Sequence, residues 1–408
     1  MLDLVADQKP ENDFARMDYE RDRKGPPEGF PKFPDIPGSR YTDKEFLALE
    51  KEMMWDKAWL YAGHVDQIPR PGTWFLTRNP GAPIIVTRTL KGEVKAFFNT
   101  CQHRGAPLVA EDSGEGRGFV CGYHGWSYTL EGKLTAVRDK RDFVDLDFSC
   151  RSLKEVRCEL LGSLIFVNQD PEAQPLMEHI GPMAAQLEQY DLENLRLVDS
   201  RSYEVDCNVK ILLDAFLEVY HIKSIHVNTV DRFLDHRSMI VTLWPNGHSR
   251  MATPNRRPDW VDPGTVGMPV IPSITEFPAK NNVSYQIYPN FVMPPAPSGV
   301  PLLQFWPIGP KRTRVVSTWI APDHDAENPH PLWETRLSNW ERILYEDLQY
   351  APQIQESLES PGFKGMPLNY QERRIYHWHE ELDRRIGLNI VPEKARVEQV
   401  LGDWVQQD

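Results

Sequence analysis

The chain has 408 residues, and its 40% hydrophobic and 11% aromatic content supplies enough apolar surface for two packed domains. A formal net charge of -13 leaves no cationic excess to neutralise phosphates, so we expect no nucleic-acid partner. No apolar run approaches the ~20 residues of a membrane span, and the charged N-terminus lacks the apolar region of a signal peptide. We therefore expect no membrane partner and a cytoplasmic location, where thiols stay reduced and paired cysteines favour metal binding.

The predicted elements form an α+β fold in which a small antiparallel β domain precedes a larger domain. The proline-rich segment GPPEGFPKFPDIPG predicts an extended arm, and a helix follows at about residues 42–55. Short apolar segments between turn residues then predict the β domain at residues 56–170. From residue 171 to 408 the pattern predicts an antiparallel sheet covered by helices, with residues 1–55 packed on it. The main helices predicted in this larger domain are 209–226, 331–358 and 370–386.

Two short stretches of the β domain each pair a cysteine with a histidine. In CQHRG one residue lies between Cys101 and His103, and in CGYHGW two residues lie between Cys121 and His124. Seventeen residues lie between the two pairs. Such loops can offer two thiolates and two imidazoles to one centre, which suits either zinc or an iron–sulfur cluster. The similar offsets, the flanking glycines and the all-β surroundings favour a cluster in which one iron takes both thiolates and the other both imidazoles.

The pattern Cys-x-His-x17-Cys-x2-His, with HRG and YHGW, resembles the Rieske [2Fe–2S] motif of non-haem iron oxygenases. The resemblance implies that the four residues of this pattern bind a [2Fe–2S] cluster, which accepts and passes single electrons. A structural zinc site remains the alternative for the same four residues.

The stretch DAFLEVYHIKSIH, in the larger domain, places acids and histidines at helical spacing. Asp214, Glu218 and His221 stand at i, i+4 and i+7, so on a continuous helix they share one face; His226 follows five residues after His221. Burying two carboxylates beside a histidine is unfavourable unless each is paired, so this face is either solvated or functional. The cluster motif upstream in the same chain favours the functional interpretation.

The same stretch resembles the iron site in the large subunits of Rieske oxygenases. In that family an acid stands three residues before a first histidine and a second histidine follows five later, which Glu218, His221 and His226 match. The resemblance implies a mononuclear Fe(II) held by the two histidines and one carboxylate. Asp347, in a late Glu–Asp helix followed by Pro-x-x-Gln-x-x-Leu-x-Ser, is the expected third ligand, and the adjacent Glu346 is its main rival.

This chain also departs from the family pattern. Val209 stands where the family has tryptophan, and Asp214–Ala215 stands where it has Glu–Asn. The family's asparagine often touches substrate, so Ala215 predicts a different or roomier pocket. We expect the other three cysteines, Cys150, Cys158 and Cys207, to be buried small apolar residues. Four further histidines are expected to be structural rather than ligating, namely His64, His248, His377 and His379. Three further candidates form no motif, namely Asp231, Asp235 and His236.

The resemblance further implies how the two centres work together. In the family three subunits form a ring, in which the cluster of one subunit faces the iron of the next across a carboxylate that joins one histidine from each centre. Glu218 holds that position here, linking His221 to a neighbour's His124 and fixing the tautomers of both imidazoles. No dinucleotide fingerprint is present, so we expect a homotrimer that receives electrons from a separate NAD(P)H-dependent reductase, with or without a ferredoxin.

The implied function is that of a terminal oxygenase component, which uses O2 and those electrons to hydroxylate a small organic substrate. Apolar strand residues indicate an aromatic or other apolar compound, as in aromatic hydrocarbon catabolism, although these residues also suit a sheet core; they are Tyr285, Ile287, Tyr288, Phe291, Phe305, Trp306 and Trp319. Two alternatives stay open. One is a monooxygenase of a quaternary ammonium compound, for which glutamate at position 218 is a hint; the other is a Rieske electron-transfer protein without oxygenase activity. The sequence leaves open mono- versus dioxygenation and a small second subunit.

Overall fold

The computed structural model describes residues 12–78 and 81–406. By its internal contacts the chain divides into two compact units. One runs from Lys51 to His179, and the other combines the residues through Glu50 with those from Ile180 onward. Within the described ranges, no helix has the length and apolarity needed to cross a membrane.

Strands and helices are both abundant, which confirms the predicted α+β class. The strands are β1 (Ile36–Pro37), β2 (Leu60–His64), β3 (Thr73–Thr77), β4 (Ile84–Arg88), β5 (Val94–Phe98), β6 (Ser113–Glu115), β7 (Gly118–Val120), β8 (Ser127–Thr129), β9 (Leu134–Ala136), β10 (Glu155–Leu161), β11 (Leu164–Asn168), β12 (Arg196–Val205), β13 (Ile240–Leu243), β14 (Ser249–Pro254), β15 (Asn281–Ile287), β16 (Phe291–Met293), β17 (Val300–Gly309), β18 (Arg312–Ala321) and β19 (Gly365–Met366). The helices are α1 (Asp13–Asp22), α2 (Ser39–Thr42), α3 (Lys44–Met53), α4 (Leu176–Ile180), α5 (Met183–Leu187), α6 (Val209–Ala215), α7 (Ile222–Ile225), α8 (Glu276–Lys280), α9 (Leu332–Leu348), α10 (Ala351–Leu358) and α11 (Arg373–Ile386).

The unit from Lys51 to His179 is built from two antiparallel sheets. The larger sheet has the order β2-β11-β10-β5-β4-β3-β6, and the smaller one has the order β7-β8-β9. Trp74 of the larger sheet and Phe119 of the smaller one belong to the same hydrophobic cluster, so one core of this unit lies between the sheets, and a second is formed by other residues of the larger sheet such as Phe75 and Val86. The first Cys/His loop follows β5, and the second connects β7 to β8. Both loops are therefore anchored at strand ends.

The other unit contains a seven-stranded antiparallel sheet with the order β12-β18-β17-β16-β15-β14-β13. Helix α9 lies against this sheet. The indole N–H of Trp340 donates to Ser317 Oγ at 2.9 Å, and the rings of Trp333 and Trp340 lie 5.7 and 5.5 Å from the ring of Trp319 on β18. These contacts fix the helix that carries Asp347 relative to the sheet.

The N-terminal segment of this unit is attached by buried polar contacts. Residues 24–35 form neither helix nor strand, as the prolines predict. Beyond them, Arg40 pairs with Asp383 at 2.6 Å with both side chains fully buried, and the hydroxyl of Tyr41 donates to Asp214 at 2.6 Å. A buried pair of this kind is costly to break by removing one partner, so these bonds hold the segment in place.

The prediction of a continuous helix over residues 209–226 is wrong, because the helix is interrupted between α6 and α7. Leu217 N–H bonds to the carbonyl of Asp214 at 3.0 Å, a tighter turn of the kind that ends an α-helix. The carboxylate of Glu218 then accepts the backbone N–H groups of Tyr220 and His221, the latter at 3.2 Å. Asp214 and Glu218 therefore do not share a helix face, and Asp214 is directed towards the N-terminal segment.

Candidate metal centres

The two Cys/His loops have the same backbone hydrogen bonds. In the first, Cys101 N–H donates to Ala106 O at 2.8 Å and Gly105 N–H donates to Cys101 O at 3.0 Å. In the second, the cysteine N–H donates five residues ahead at 2.8 Å, and the glycine N–H donates back to the cysteine at 2.9 Å. Gly105 and Gly125 have φ of 72° and 73°, the left-handed region that glycine adopts without strain. The sequence difference of one residue between the two Cys–His pairs thus leaves two closely matching loops.

The ligand side chains of these loops differ in burial in a way that suits a two-iron cluster. Cys101 and Cys121 are each 2% exposed, whereas His103 and His124 are only half-buried, with ring centroids 4.5 Å apart. A single tetrahedral zinc would bring its four donor atoms within roughly 4 Å of one another. Among the described residues, the one group of three or more His, Cys, Asp or Glu whose ligand atoms all lie within 4.8 Å of one another does not include these four. This spacing fits a cluster better than zinc.

The surroundings of the thiols provide a hydrogen bond and an apolar lining. The hydroxyl of Tyr128 lies 3.3 Å from Cys101 Sγ, and the indole of Trp126 stacks on His103 at 4.9 Å. Burial raises the pKa of the Cys101 thiol, so a bound cation favours the thiolate form of this cysteine. Burial and the neighbouring His124 lower the pKa of His103, which keeps its imidazole neutral and able to bind metal.

The second centre brings together three side chains that are far apart in sequence. Asp347 Oδ1, on α9, lies 3.5 Å from His221 Nε2 and 3.1 Å from His226 Nε2. The three ligand atoms all lie within 4.8 Å of one another. Two imidazoles and one carboxylate grouped on one side leave the other side open, which is the arrangement of facial Fe(II) sites. The donor set therefore fits a mononuclear iron.

Each histidine of this centre is oriented by a carboxylate on its other ring nitrogen. Glu218 Oε1 pairs with His221 Nδ1, and Glu346 Oε2 lies 2.7 Å from His226 Nδ1. The hydroxyl of Thr229 donates to the same Glu346 oxygen at 2.6 Å. Such partners fix the tautomer so that Nε2 is free to bind metal. Glu346, weighed above as a rival ligand, is thus turned away from the group and holds His226 instead.

The negative charges of these carboxylates raise the pKa of both imidazoles. Burial lowers the pKa of His221, but the hydrogen bond and charge of Glu218 and the charge of Asp347 outweigh it, and the net pKa is raised. For His226, burial is likewise outweighed by Asp347 and Glu346, and its pKa is also raised. An environment that favours a proton on the imidazole nitrogen also favours a metal cation bound to that nitrogen in place of the proton.

A cavity of about 370 Å³ adjoins this group. His221, His226 and Asp347 lie on its wall, and Ala215 also lines it. Of the seven strand residues proposed above, only Trp319 lines the cavity, and the others are at most 3% exposed in the sheet core. The aromatic lining comes instead from loops and α9, through Phe216, Phe233, Trp260 and Trp340. Alternation along a strand does not show which loop residues close over it, so sequence reasoning missed them.

Two of the histidines expected to be structural are hydrogen-bonded away from both centres. His379 lies 3.0 Å from Arg40 Nε, and His377 Nε2 lies 2.8 Å from Trp244 O, both in buried positions. Of the three cysteines expected to be buried, Cys207 is buried and Cys158 is intermediate. Cys150 is exposed, so that expectation is wrong. It lies in a turn, where its thiol donates to Asp147 O at 3.2 Å.

Two family models match the chain. The Rieske [2Fe-2S] domain matches residues 58–153, and the ring hydroxylating alpha subunit (catalytic domain) matches residues 192–388. The 2-halobenzoate 1,2-dioxygenase large subunit of Burkholderia cepacia is 27% identical over 90% of this chain and 86% of its own length. The glycine betaine monooxygenase oxygenase subunit of Pseudomonas aeruginosa strain UCBPP-PA14 is 24% identical over 90% of this chain and 92% of its own length. The crystal structure of naphthalene 1,2-dioxygenase from Rhodococcus sp. bound to indole has a TM-score of 0.73 at 20% identity, covering 88% of this chain and 95% of that one.

Proposed function

Because the chain belongs to the Rieske non-haem iron oxygenases as a large (alpha) subunit, we propose specific residues, a substrate class and an assembly for it. The family function is that of a terminal oxygenase, which hydroxylates a small organic substrate with O2 and electrons from a separate reductase. The observation that carries the proposal is the convergence of His221, His226 and Asp347 on the wall of an apolar cavity.

We assign the cluster to Cys101, His103, Cys121 and His124, and the mononuclear Fe(II) to His221, His226 and Asp347. When bound, the cluster supplies single electrons and the mononuclear iron activates dioxygen beside the substrate. The apolar cavity wall holds the substrate and excludes water from the reacting atoms. We retain residues 56–170 and 171–408 as the two functional domains, with residues 1–55 belonging to the second.

Glu218 is proposed to join the two kinds of centre across a homotrimer interface. Its carboxylate holds His221 Nδ1, and its neighbour Tyr220 is 59% exposed, as an interface residue is in an isolated chain. In the cluster domain, the half-buried His124 stands beside Tyr123, which is also 59% exposed. Each surface by itself thus presents an imidazole beside an exposed aromatic ring, and aromatic residues are enriched in interfaces. Glu218 would accept a hydrogen bond from the partner imidazole and hold it at transfer distance.

The electron source and the location are also proposals. Among the described residues we find no dinucleotide-binding segment, so a separate NAD(P)H-dependent reductase, with or without a ferredoxin, is the source that we propose. A net charge of -13 suits a basic patch on that partner. The five cysteines are free thiols, which suits a reducing cytoplasm.

We propose an aromatic or other apolar compound as the substrate class. The lining of the cavity is mainly apolar and aromatic, and one relative acts on 2-halobenzoate. The second candidate is a quaternary ammonium compound, favoured by glutamate at position 218 and by the glycine betaine relative. An electron-transfer protein without oxygenase activity would have no use for a cavity beside His221, His226 and Asp347 (the His221 group).

Oxygen uptake with a surrogate reductase tests this proposal. The metal-loaded protein is screened against aromatic acids, aromatic hydrocarbons, terpenoids and quaternary amines, and products are analysed for oxygen from labelled O2. We expect at least one compound to stimulate uptake and to become hydroxylated, with His221→Ala inactive. Stimulation by quaternary amines alone would select the second candidate, and uptake unaffected by every compound in both proteins would contradict the proposal.

A further inference from the structure

The cavity beside the His221 group contains a buried, positively charged side chain that belongs to neither assigned metal centre. Arg336, on α9, lines the cavity and is only 6% exposed. It is the only lysine or arginine among the described residues that form the wall. A buried charge is unfavourable unless something compensates it, so the surroundings of this guanidinium are informative.

Only part of the guanidinium is hydrogen-bonded. Nη1 donates to Ser298 O at 2.9 Å and to Ser298 Oγ at 2.7 Å. Within the described part of the chain, neither Nε nor Nη2 has an acceptor. The planar group lies over the rings of Trp319 and Trp333, at 4.7 and 5.1 Å from their centroids. These rings fix its plane and leave the Nε–Nη2 edge available, which is the edge that binds a carboxylate through two parallel hydrogen bonds.

No described carboxylate forms a salt bridge with Arg336. Asp262 acts on it only at longer range, and its own carboxylate accepts the N–H of Gly264 at 2.9 Å from an exposed position. Burial lowers the pKa of Arg336 to about 10, which leaves it protonated at neutral pH. Among the described residues, Arg336 therefore has no directly paired carboxylate, although Asp262, Glu218 and Asp347 line the same cavity.

The position of Arg336 on α9 gives the approximate separation, along the helix axis, of this residue from Asp347. Arg336, Trp340, Ile343 and Asp347 stand at i, i+4, i+7 and i+11 and all line the cavity, so one helix face forms this wall. Eleven residues of α-helix span about 16 Å. Allowing about 3 Å at each end for the hydrogen bonds and for the approach to the iron leaves an apolar length of roughly 10 Å.

We propose that the substrate is a carboxylic acid whose carboxylate binds the Nε–Nη2 edge of Arg336 and whose apolar body reaches the iron group. This inference rests on the proposed function and narrows its substrate class. A benzoate, with its carboxylate directly on the reacting ring, is too short to reach both ends of the wall. A substrate with only a cationic head group is repelled by the same guanidinium.

Isothermal titration calorimetry of the metal-loaded protein tests the charge preference. The probes are ω-phenylalkanoic acids of increasing chain length, starting from benzoic acid, and the primary amide of each acid. The variants are Arg336→Met, which keeps an apolar chain, and Arg342→Met as the control, an exposed arginine on the same helix outside this cavity. We expect the wild type and the control to bind the longer acids about tenfold or more tightly than their amides. Arg336→Met should bind acid and amide equally.

Equal binding of acid and amide by the wild type would overturn the proposal, and so would an acid preference that survives in Arg336→Met. If Arg336→Met does not fold, the wild-type comparison still decides. Oxygen uptake with the same probes tests the length, since the longer acids should stimulate it more than benzoic acid and the reverse order would refute the estimate. Calorimetry needs no turnover, so a wild type that takes up oxygen normally but shows no preference for acids over amides would reject this inference alone. Absence of uptake with every compound would reject the proposed function.

Discussion

The hydrogen bond between Glu346 and His226 should set the affinity of the mononuclear centre for iron. Glu346 Oε2 lies 2.7 Å from His226 Nδ1 and accepts from Thr229 at 2.6 Å, so it holds the ring in the orientation that points Nε2 at Asp347. Removing an orienting partner of this kind typically costs 10–100-fold in metal affinity, or about 1.4–2.7 kcal/mol. Glu346→Gln keeps an acceptor but loses its charge, so we expect the affinity for iron to fall about tenfold. Glu346→Ala also leaves Thr229 without its acceptor, so we expect the upper end.

Competition with a ferrous chelator measures this affinity, with the absorbance of the cluster as an internal standard for protein integrity. Glu334→Gln, an exposed acid on the same helix, is the control and should bind iron like the wild type. Asp347→Asn should abolish binding, because it removes a ligand and not an orienting group. Loss of all iron in Glu346→Gln together with normal affinity in Asp347→Asn would refute the reasoning and exchange the roles of the two acids.

Three further outcomes follow from the geometry. Glu218→Gln should retain both metal centres and lower turnover strongly, since the carboxylate proposed to join them is lost; an unchanged turnover rate with full metal content would contradict that role. Tyr128→Phe removes the hydroxyl 3.3 Å from Cys101 Sγ and should lower the reduction potential of the cluster, measured by redox titration, whereas an unchanged or higher potential would count against this contact. Burial raises the pKa of Asp214 to about 7 from 3.8, so the stability it contributes is present below the lower value and is lost as pH rises towards the upper one. Asp214→Asn should therefore make the free energy of unfolding less dependent on pH across this range, and an unchanged pH dependence in denaturant titrations would contradict the assignment.

The cluster loops could be predicted from sequence because their chemistry is local. Both ligands of each loop lie within three residues of each other, and Gly105 and Gly125 mark the turns that close the loops. The pair His221 and His226 was accessible for the same reason. Asp347 was found only through resemblance, because it lies 121 positions after His226 in the chain and no local pattern sets that contact.

The rest depends on contacts that periodicity does not contain. The spacing of Asp214 and Glu218 fits one helix, but α6 ends before Glu218. The Glu218 carboxylate then accepts hydrogen bonds from the backbone N–H groups of the next residues. Glu346 and Asp347 are adjacent on α9, and only their packing shows that one orients a histidine while the other faces the metal group. Arg336 gave no signal, because an arginine in an acidic helix is normally solvated. The role proposed for Arg336 depends on its contact with Trp319 and its position on the cavity wall.

The most direct test of two distinct iron centres is the iron content of purified, reconstituted protein, measured beside its visible spectrum. The wild type should contain about three iron atoms per chain, and His221→Ala should contain about two while keeping the red-brown cluster spectrum. An iron content of two in the wild type, or loss of the spectrum together with the third iron in His221→Ala, would contradict the account.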